Sequence, residues 1–197
     1  MVKAVVLDMD GVIRHLDIEY AEGAAQTIGF SLDELMDLLW DNDAAQELLC
    51  GRSTPDVWWE QVQKLDVRLE GVSQDLIWDE VLVKSFIDRD VIEFIGGVSG
   101  HLVTCILSNC TKEGKIKILR DIGEDSPFDF ILSSSDFGAT KPAPEVYHGM
   151  LETIGVKAED CILFDDRPPN VDGAKAVGIQ AYLFEGIEQL KKLVIPS

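Results

Sequence analysis

Two aspartates, Asp8 and Asp10, close the apolar segment "VVLDMDGVI" at residues 5–13. The apolar residues before them are typical of a strand that is buried on both faces. Because side chains alternate along a strand, we expect Asp8 and Asp10 to project to one side and Met9 to the other. Two carboxylates this close repel each other, so a bound cation, a shared proton or water must offset the repulsion. A solvated acidic turn is the simpler alternative, and the rest of the chain must decide between them.

Polar residues follow later apolar segments in the same way. "HLVTCILSNC" leads to Ser108 and Asn109, "LFDDRPPN" contains Asp165 and Asp166, and Lys141 stands between a loop and a helix start. Ligands of parallel α/β sheets bind outside the carboxyl ends of the strands. Carboxylates from two strand ends suit Mg²⁺, which prefers oxygen ligands and leaves room for a phosphate oxygen. A hydroxyl, backbone N–H groups and a lysine would hold the other phosphate oxygens, so the pattern predicts phosphoryl transfer with an aspartate as nucleophile.

The elements that must position these residues alternate between strand and helix over residues 1–14 and 91–197. Such alternation predicts an α/β fold, with a parallel sheet and helices on both of its faces. We assign these two ranges to one catalytic core.

Two helices of this core have clear boundaries. In "TKEGKIKILRDIG", the pattern places Ile116, Leu119 and Ile122 on the buried face. In "APEVYHGMLETIG", Pro144 marks the start of the helix and Gly155 marks its end.

Residues 15–90 differ from the core, because they show no strand pattern. Ser31 with Glu34 forms a predicted capping box, and Thr54 before Pro55 is a predicted N-cap. These signals predict a helical unit inserted after the first strand. Four tryptophans could form a wall for a substrate, but we favour a role in the core of this unit: Trp40, Trp58, Trp59 and Trp78.

The composition sets limits on the partners. The chain has 197 residues, 46% hydrophobic and 27% charged, with a formal net charge of -19. This charge argues against nucleic acid and anionic membranes as partners. A small phosphorylated metabolite can still bind, because a local cation reverses the sign of the field at its site. The acidic surface favours a monomer. We expect Cys105 and Cys161 to be buried thiols, and the lack of a signal peptide or membrane-spanning run favours the cytoplasm.

Four segments resemble, in the right order, the motifs of the haloacid dehalogenase-like (HAD) hydrolase superfamily: "LDMDGV", "LSNC", "TKPAPEVY" and "LFDDRPPNVDGAKAVGI". The resemblance covers the first strand and nearly everything from about residue 100 onward. It implies a Rossmann-like core, with residues 15–90 in the place of that family's mobile helical cap. It also implies a Mg²⁺-dependent phosphatase.

Catalytic roles follow from the resemblance residue by residue. Asp8 matches the nucleophile that forms an aspartyl-phosphate, and Asp10 matches the general acid and base. Ser108 and the backbone of Asn109 match the phosphate-binding motif. Lys141 matches the group that neutralises charge on the nucleophile and the phosphate.

The resemblance also implies a set of metal ligands. Asp166 matches a direct Mg²⁺ ligand, and Asp8 and the backbone carbonyl of Asp10 complete the protein's share. Asp165 is either a further ligand or a neighbour of the ligands, and Asn170 is a structural or neighbouring residue.

Two alternatives share these motifs. One is a sugar phosphomutase similar to β-phosphoglucomutase, and the other is a non-catalytic binding or regulatory protein on the same fold. Family dehalogenases resemble the phosphatases but lack the second aspartate, so Asp10 argues against dehalogenation. Arg14 and Arg52 are candidates for contacts that select the substrate, whose identity the motifs leave open.

Overall fold

The computed structural model of this protein describes residues 2–78, 82, 84–123 and 125–195. Its strands are β1 (Ala4–Leu7), β2 (Arg14–Leu16), β3 (Ser85–Ile87), β4 (Val103–Ser108), β5 (Phe130–Ser133), β6 (Cys161–Asp165) and β7 (Gln180–Leu183). Its helices are α1 (Ile18–Thr27), α2 (Leu32–Trp40), α3 (Asp43–Leu49), α4 (Pro55–Val62), α5 (Gln74–Leu76), α6 (Arg89–Val98), α7 (Lys112–Ile122), α8 (Pro144–Ile154), α9 (Pro168–Ala176) and α10 (Ile187–Val194). Within the described ranges, no helix has the length and apolar character needed to cross a membrane.

A parallel sheet of five strands, in the order β5-β4-β1-β6-β7, forms the centre of the core. β1 lies in the middle, where Leu7 is opposite Ile106 of β4 on one side and Phe164 of β6 on the other. The carboxyl end of β1 is therefore flanked by the carboxyl ends of β4 and β6. This arrangement confirms the predicted α/β sheet.

Apolar layers cover both faces of the sheet. Val5 and Leu7 pack into a cluster that includes residues of α6, α7 and α10. Ala4 and Val6 point the other way, into a cluster with residues of α8 and α9. Because both faces of β1 are buried, its sequence is continuously apolar. A shift in register by one residue would exchange the residues on the two faces, so packing fixes the register.

Helices α1 to α5 form a separate helical unit with its own apolar cluster. The capping box of Ser31 and Glu34 is present, and the Thr54 side chain caps α4. Trp58 is fully buried and stacks on Trp40, with ring centroids 5.3 Å apart. Trp59 is also buried, so Trp40, Trp58 and Trp59 contribute to the core of the unit, as the interpretation of the sequence favoured. Trp78 differs, because it is 36% exposed and joins them through its ring contacts with Trp40 and Trp58.

The absence of strands in residues 15–90 was a wrong prediction. β2 and β3 pair antiparallel, with Arg14 opposite Ile87 and Leu16 opposite Ser85, where the chain enters and leaves the helical unit. Each has three residues, too few to show an alternating pattern. The sequence pattern of residues 73–86, "SQDLIWDEVLVKSF", predicts a helix, and this prediction is only partly confirmed. α5 covers Gln74–Leu76, whereas Ser85 and Phe86 belong to β3, and residues 79–81 and 83 lie outside the described residues.

The buried face predicted for α7 was also partly wrong. Ile118 and Ile122 are buried, whereas Ile116 is 58% exposed and Leu119 is 48% exposed. The helix has two apolar stripes, and periodicity alone does not show which one faces the sheet. The boundaries of α8 are as predicted, because Pro144 begins it and Gly155 follows it in the left-handed conformation.

Candidate active site

The strand ends bring together residues that are far apart in sequence. Asp8 follows β1, Ser108 ends β4, Asp165 ends β6, and the loop after β5 leads to Lys141. Lys141 Nζ lies 2.9 Å from Asp8 Oδ1 and 2.5 Å from Asp165 Oδ2. All four side chains are buried. The carboxyl edge of the sheet therefore holds a buried ammonium group between two carboxylates.

The charge of Lys141 is maintained by its neighbours. Burial alone would lower the pKa of Lys141, but the charges of Asp8 and Asp165 raise it above its ordinary value. A buried cation paired in this way remains protonated at neutral pH and can act as a fixed positive charge.

Asn109 fixes the backbone of Lys141. Its Nδ2 donates to the Lys141 carbonyl at 3.0 Å, and its Oδ1 accepts from the Lys141 N–H at 2.8 Å. This pair of bonds joins the end of β4 to the loop after β5. The sequence predicted a role only for the backbone of Asn109, so the function of its side chain was missed.

Asp165 is fully buried, and both of its oxygens accept hydrogen bonds. Oδ2 accepts from Lys141 Nζ, and Oδ1 accepts from the backbone N–H of Arg167 and from Asn170 Nδ2, each at 2.9 Å. Tyr147 Oη in turn donates to the carbonyl of Asn170 at 2.6 Å. Asp165 therefore anchors Lys141 to the start of α9.

Asp8 has one engaged oxygen and one available oxygen. Its Oδ1 accepts from the Met9 N–H at 2.7 Å and lies 2.9 Å from Lys141 Nζ. In the described part of the chain, no hydrogen bond reaches Oδ2. Burial raises the pKa of Asp8 to about 7, opposed by Lys141 and reinforced by Asp165 and Asp10. The free oxygen is therefore the one that can react or bind a ligand.

Asp8, Asp165 and Asp166 form an acidic cluster in which one oxygen from each lies within 4.8 Å of the others. Partial burial, and then the charge of Asp165, raise the pKa of Asp166. Gly11 makes room for this carboxylate, since a Cβ there would lie 2.2 Å from Asp166 Oδ2, and its φ of +79° also favours glycine. Three carboxylates with oxygens this close fit a hard divalent cation, whose charge would offset their repulsion.

Asp10 does not join this cluster. Its side chain is 63% exposed and accepts two hydrogen bonds from the Arg14 guanidinium, at 2.7 and 3.0 Å. Arg14 also donates to Asp121 of α7 at 3.1 Å. The two aspartates of the first motif therefore occupy different surroundings, although alternation along a strand predicted that they would share one side.

Ser108 has a neighbour that the sequence did not single out. The backbone N–H of Cys110 donates to the Ser108 carbonyl at 3.1 Å, and burial raises the pKa of the Cys110 thiol to about 11. Thr111 then caps α7, so the polar end of β4 passes directly into a helix N-terminus. Such a terminus favours an anion.

Arg52, the other arginine predicted near the substrate, is bound to the protein itself. It pairs with Glu47 at 2.7 Å and donates to the carbonyl of Gly138 at 2.8 Å. These contacts connect the helical unit to the loop that precedes Lys141.

The sheet, the acidic cluster and the buried lysine define an α/β protein whose site is built from the carboxyl ends of neighbouring strands. A family model for haloacid dehalogenase-like hydrolases matches residues 2–178. The chain belongs to this family, as the resemblance of its four motifs predicted.

Individual relatives agree with this assignment. The chain is 27% identical to Phosphatase MT3486 of Mycobacterium tuberculosis (strain CDC 1551 / Oshkosh), over 98% of this chain and 92% of the relative. A predicted HAD-like family hydrolase from Porphyromonas gingivalis has a similar structure, with a TM-score of 0.78, 21% identity and full coverage of both chains (100% and 100%). An HAD family enzyme from Bacteroides thetaiotaomicron, solved in complex with magnesium and inorganic phosphate, gives a TM-score of 0.75, at 20% identity over 96% of this chain and 99% of that one. The two structures show that the fold is shared.

Proposed function

We propose that this protein is a Mg²⁺-dependent phosphatase that hydrolyses a small phosphomonoester through an aspartyl-phosphate on Asp8. The observation that carries the proposal is the state of the Asp8 carboxylate. Met9 and Lys141 hold one of its oxygens, and the other accepts no hydrogen bond from the residues that the structure describes. The similarity to a phosphatase of Mycobacterium tuberculosis supports it, as does the magnesium and phosphate complex of the Bacteroides thetaiotaomicron enzyme.

In the first step, the free oxygen of Asp8 attacks phosphorus, and the bond from phosphorus to the leaving oxygen breaks. Lys141 lies beside the nucleophile and offsets the charge that builds up on the phosphoryl group. The Ser108 hydroxyl and the backbone N–H of Asn109 hold the non-bridging oxygens.

Asp10 moves the protons. It donates a proton to the leaving oxygen in the first step, and accepts one from water in the second. The water oxygen then bonds to phosphorus while the bond to Asp8 breaks, which releases inorganic phosphate and restores the carboxylate. Because a halide leaves without a proton, a general acid at this position supports phosphatase rather than dehalogenase chemistry.

Asp8, Asp166 and the backbone carbonyl of Asp10 would hold the metal ion. When bound, a divalent cation supplies positive charge that neutralises the carboxylates and the phosphate oxygens. We assign Asp165 a different task, because its two oxygens already accept three hydrogen bonds. We propose that Asp165 positions Lys141 and is a neighbour of the metal ligands, which is one of the two roles that the sequence left open for it.

We also propose that residues 15–90 form a cap that closes over the site and selects the substrate. This range contains the helical unit with its own apolar cluster, and it joins the core at the paired strands β2 and β3. A small phosphorylated metabolite would then bind between the helical unit and the carboxyl edge of the sheet.

The test is a screen of purified protein against a panel of phosphorylated metabolites, with Mg²⁺ or with EDTA. We expect phosphate release from at least one small phosphomonoester, with Mg²⁺ required and with no release by Asp8→Asn. Absence of release from every compound would refute the proposal. An isomerisation assay primed with a hexose bisphosphate detects transfer of the phosphoryl group to a second hydroxyl instead of water.

A further inference from the structure

One segment of the helical unit, residues 46–52, contacts the loop of residues 134–140 in the core. Three hydrogen bonds cross this contact. They run from Ser134 Oγ to the Leu49 carbonyl at 2.7 Å, from Arg52 Nη1 to the Gly138 carbonyl at 2.8 Å, and between Thr140 Oγ1 and Gln46 Oε1 at 2.8 Å.

The two backbones approach closely at this contact. A Cβ on Gly51 would lie 3.3 Å from the side chain of Ser135 and 3.4 Å from its carbonyl oxygen, and the φ of Gly51 is +72°. Ser134 is fully buried, and its hydroxyl also lies 3.2 Å from the carbonyl of Cys110, next to the phosphate-binding motif. The segment therefore contacts the core directly beside two loops of the site.

The contacted loop leads straight into Lys141. Thr140 is buried and bonded to the helical unit, while Asn109 holds the backbone of Lys141 from the core. The backbone that carries Lys141 is thus held from both sides. Movement of the 134–140 loop would displace the ammonium group from Asp8, and small displacements of a catalytic group cost rate steeply.

We propose that Arg52 is a positioning residue for Lys141: by binding the Gly138 carbonyl, it holds the loop in place and couples docking of the helical unit to assembly of the site. Three contacts to the Glu47 carboxylate, at 2.7 to 3.1 Å, orient the guanidinium before it reaches the loop. The catalytic part of this inference rests on the proposed function.

Arg68 offers a matched control. Its guanidinium pairs with Asp66 and donates to the Gly29 carbonyl at 2.8 Å, as Arg52 does with Glu47 and Gly138. The two side chains are similarly exposed, 41% for Arg68 and 50% for Arg52. Arg68, however, bonds only to residues of the helical unit in the described ranges.

The experiment compares wild type, Arg52→Ala, Arg52→Lys and Arg68→Ala by hydrogen exchange and by steady-state kinetics on a small phosphomonoester with Mg²⁺. For Arg52→Ala, we expect faster exchange in peptides covering residues 134–141 and a fall in kcat of roughly fivefold to tenfold, with a smaller change in KM. Arg52→Lys keeps one donor and should recover part of kcat. Arg68→Ala should match wild type in kcat and in exchange of the loop.

The inference would be overturned if Arg52→Ala and Arg68→Ala had the same hydrogen-exchange rate in residues 134–141, or the same kcat. Because the Arg52 side chain is half exposed, we expect Arg52→Ala to fold. A thermal unfolding midpoint close to that of wild type would show that it does. If wild type releases no phosphate from any substrate, the proposed function fails, and hydrogen exchange alone then decides whether Arg52 holds the loop.

Discussion

Asp165 and Asp166 are adjacent in sequence, but we predict that replacing Asp165 lowers the free energy of unfolding, whereas replacing Asp166 does not. Asp165→Asn keeps the shape of the side chain and turns one acceptor into a donor. That donor must then face either Lys141 Nζ or the pair formed by Arg167 N–H and Asn170 Nδ2. Either orientation breaks hydrogen bonds that are fully buried.

The structure sets the size of this effect. Removal of one partner from a buried ion pair costs about 3–5 kcal/mol, and we expect the lower end because Lys141 keeps Asp8. For a chain of this length, a loss of about 3 kcal/mol lowers the unfolding midpoint by roughly 6–12 °C. Asp166→Asn instead removes a charge whose pKa is raised in the folded protein, so the metal-free variant should be as stable as wild type or slightly more stable.

The response of the unfolding midpoint to Mg²⁺ should also distinguish Asp165 from Asp166. Binding to the native state at a hundredfold excess over Kd stabilises by about 2.7 kcal/mol, a rise of roughly 5–10 °C in the midpoint. Because we assign Asp166 as a ligand, Asp166→Asn should lose most of this rise.

The assay is thermal unfolding of the three proteins in EDTA and in millimolar Mg²⁺ at matched ionic strength. Equal responses of wild type and Asp166→Asn to Mg²⁺ would exclude Asp166 as a ligand. If Asp165→Asn unfolds at the wild-type midpoint in EDTA, then the hydrogen bonds of Asp165 do not contribute about 3 kcal/mol to the free energy of unfolding.

Three further predictions concern Asp8, the proposed nucleophile, and Lys141. Asp8→Asn should abolish turnover while keeping the fold, because an amide is a poor nucleophile; normal rates without deamidation by mass spectrometry would contradict this. Lys141→Ala should lower kcat by roughly a hundredfold, the scale for one preorganised charge-stabilising group, and unchanged kinetics would contradict it. In EDTA, the stability of Asp8→Asn relative to wild type should grow as the pH rises from about 4 to 7. The raised pKa of about 7 means that folded wild type binds this proton more tightly than the unfolded chain does, so its stability falls across that window. Urea unfolding of both proteins at several pH values measures the difference, and a constant difference would refute it.

Local signals predicted the elements well. The capping box of Ser31 and Glu34, and the αL glycine at Gly155, depend on neighbouring residues and are found where the sequence placed them. α7 shows the limit of periodicity, because Ile116 and Leu119 form a second apolar stripe that faces outward.

The site was predictable in its members and less so in its contacts. The motifs placed Asp8 and Asp166 directly after apolar strands and Lys141 between a loop and a helix start, and the parallel sheet brings these positions to one edge. The two hydrogen bonds between the Asn109 side chain and the Lys141 backbone join residues 32 positions apart, and no local sequence pattern predicts them. Asp10 separated from Asp8 because β1 ends at Leu7. Alternation holds only along an extended strand, and the chain turns away after it.

The short pairing of β2 with β3 has a consequence for how such proteins diversify. With Arg14 opposite Ile87, the segments that enter and leave the helical unit are held next to each other by the pairing of β2 with β3. The helical unit is therefore an insertion between β2 and β3, and the paired strands keep its two ends together. Its length and composition can drift, or be exchanged for another sequence, without changing the spacing of the strands that carry the chemistry. Under the proposed role of residues 15–90 in selecting the substrate, changes confined to this range would alter the substrate while the candidate catalytic residues stay in place.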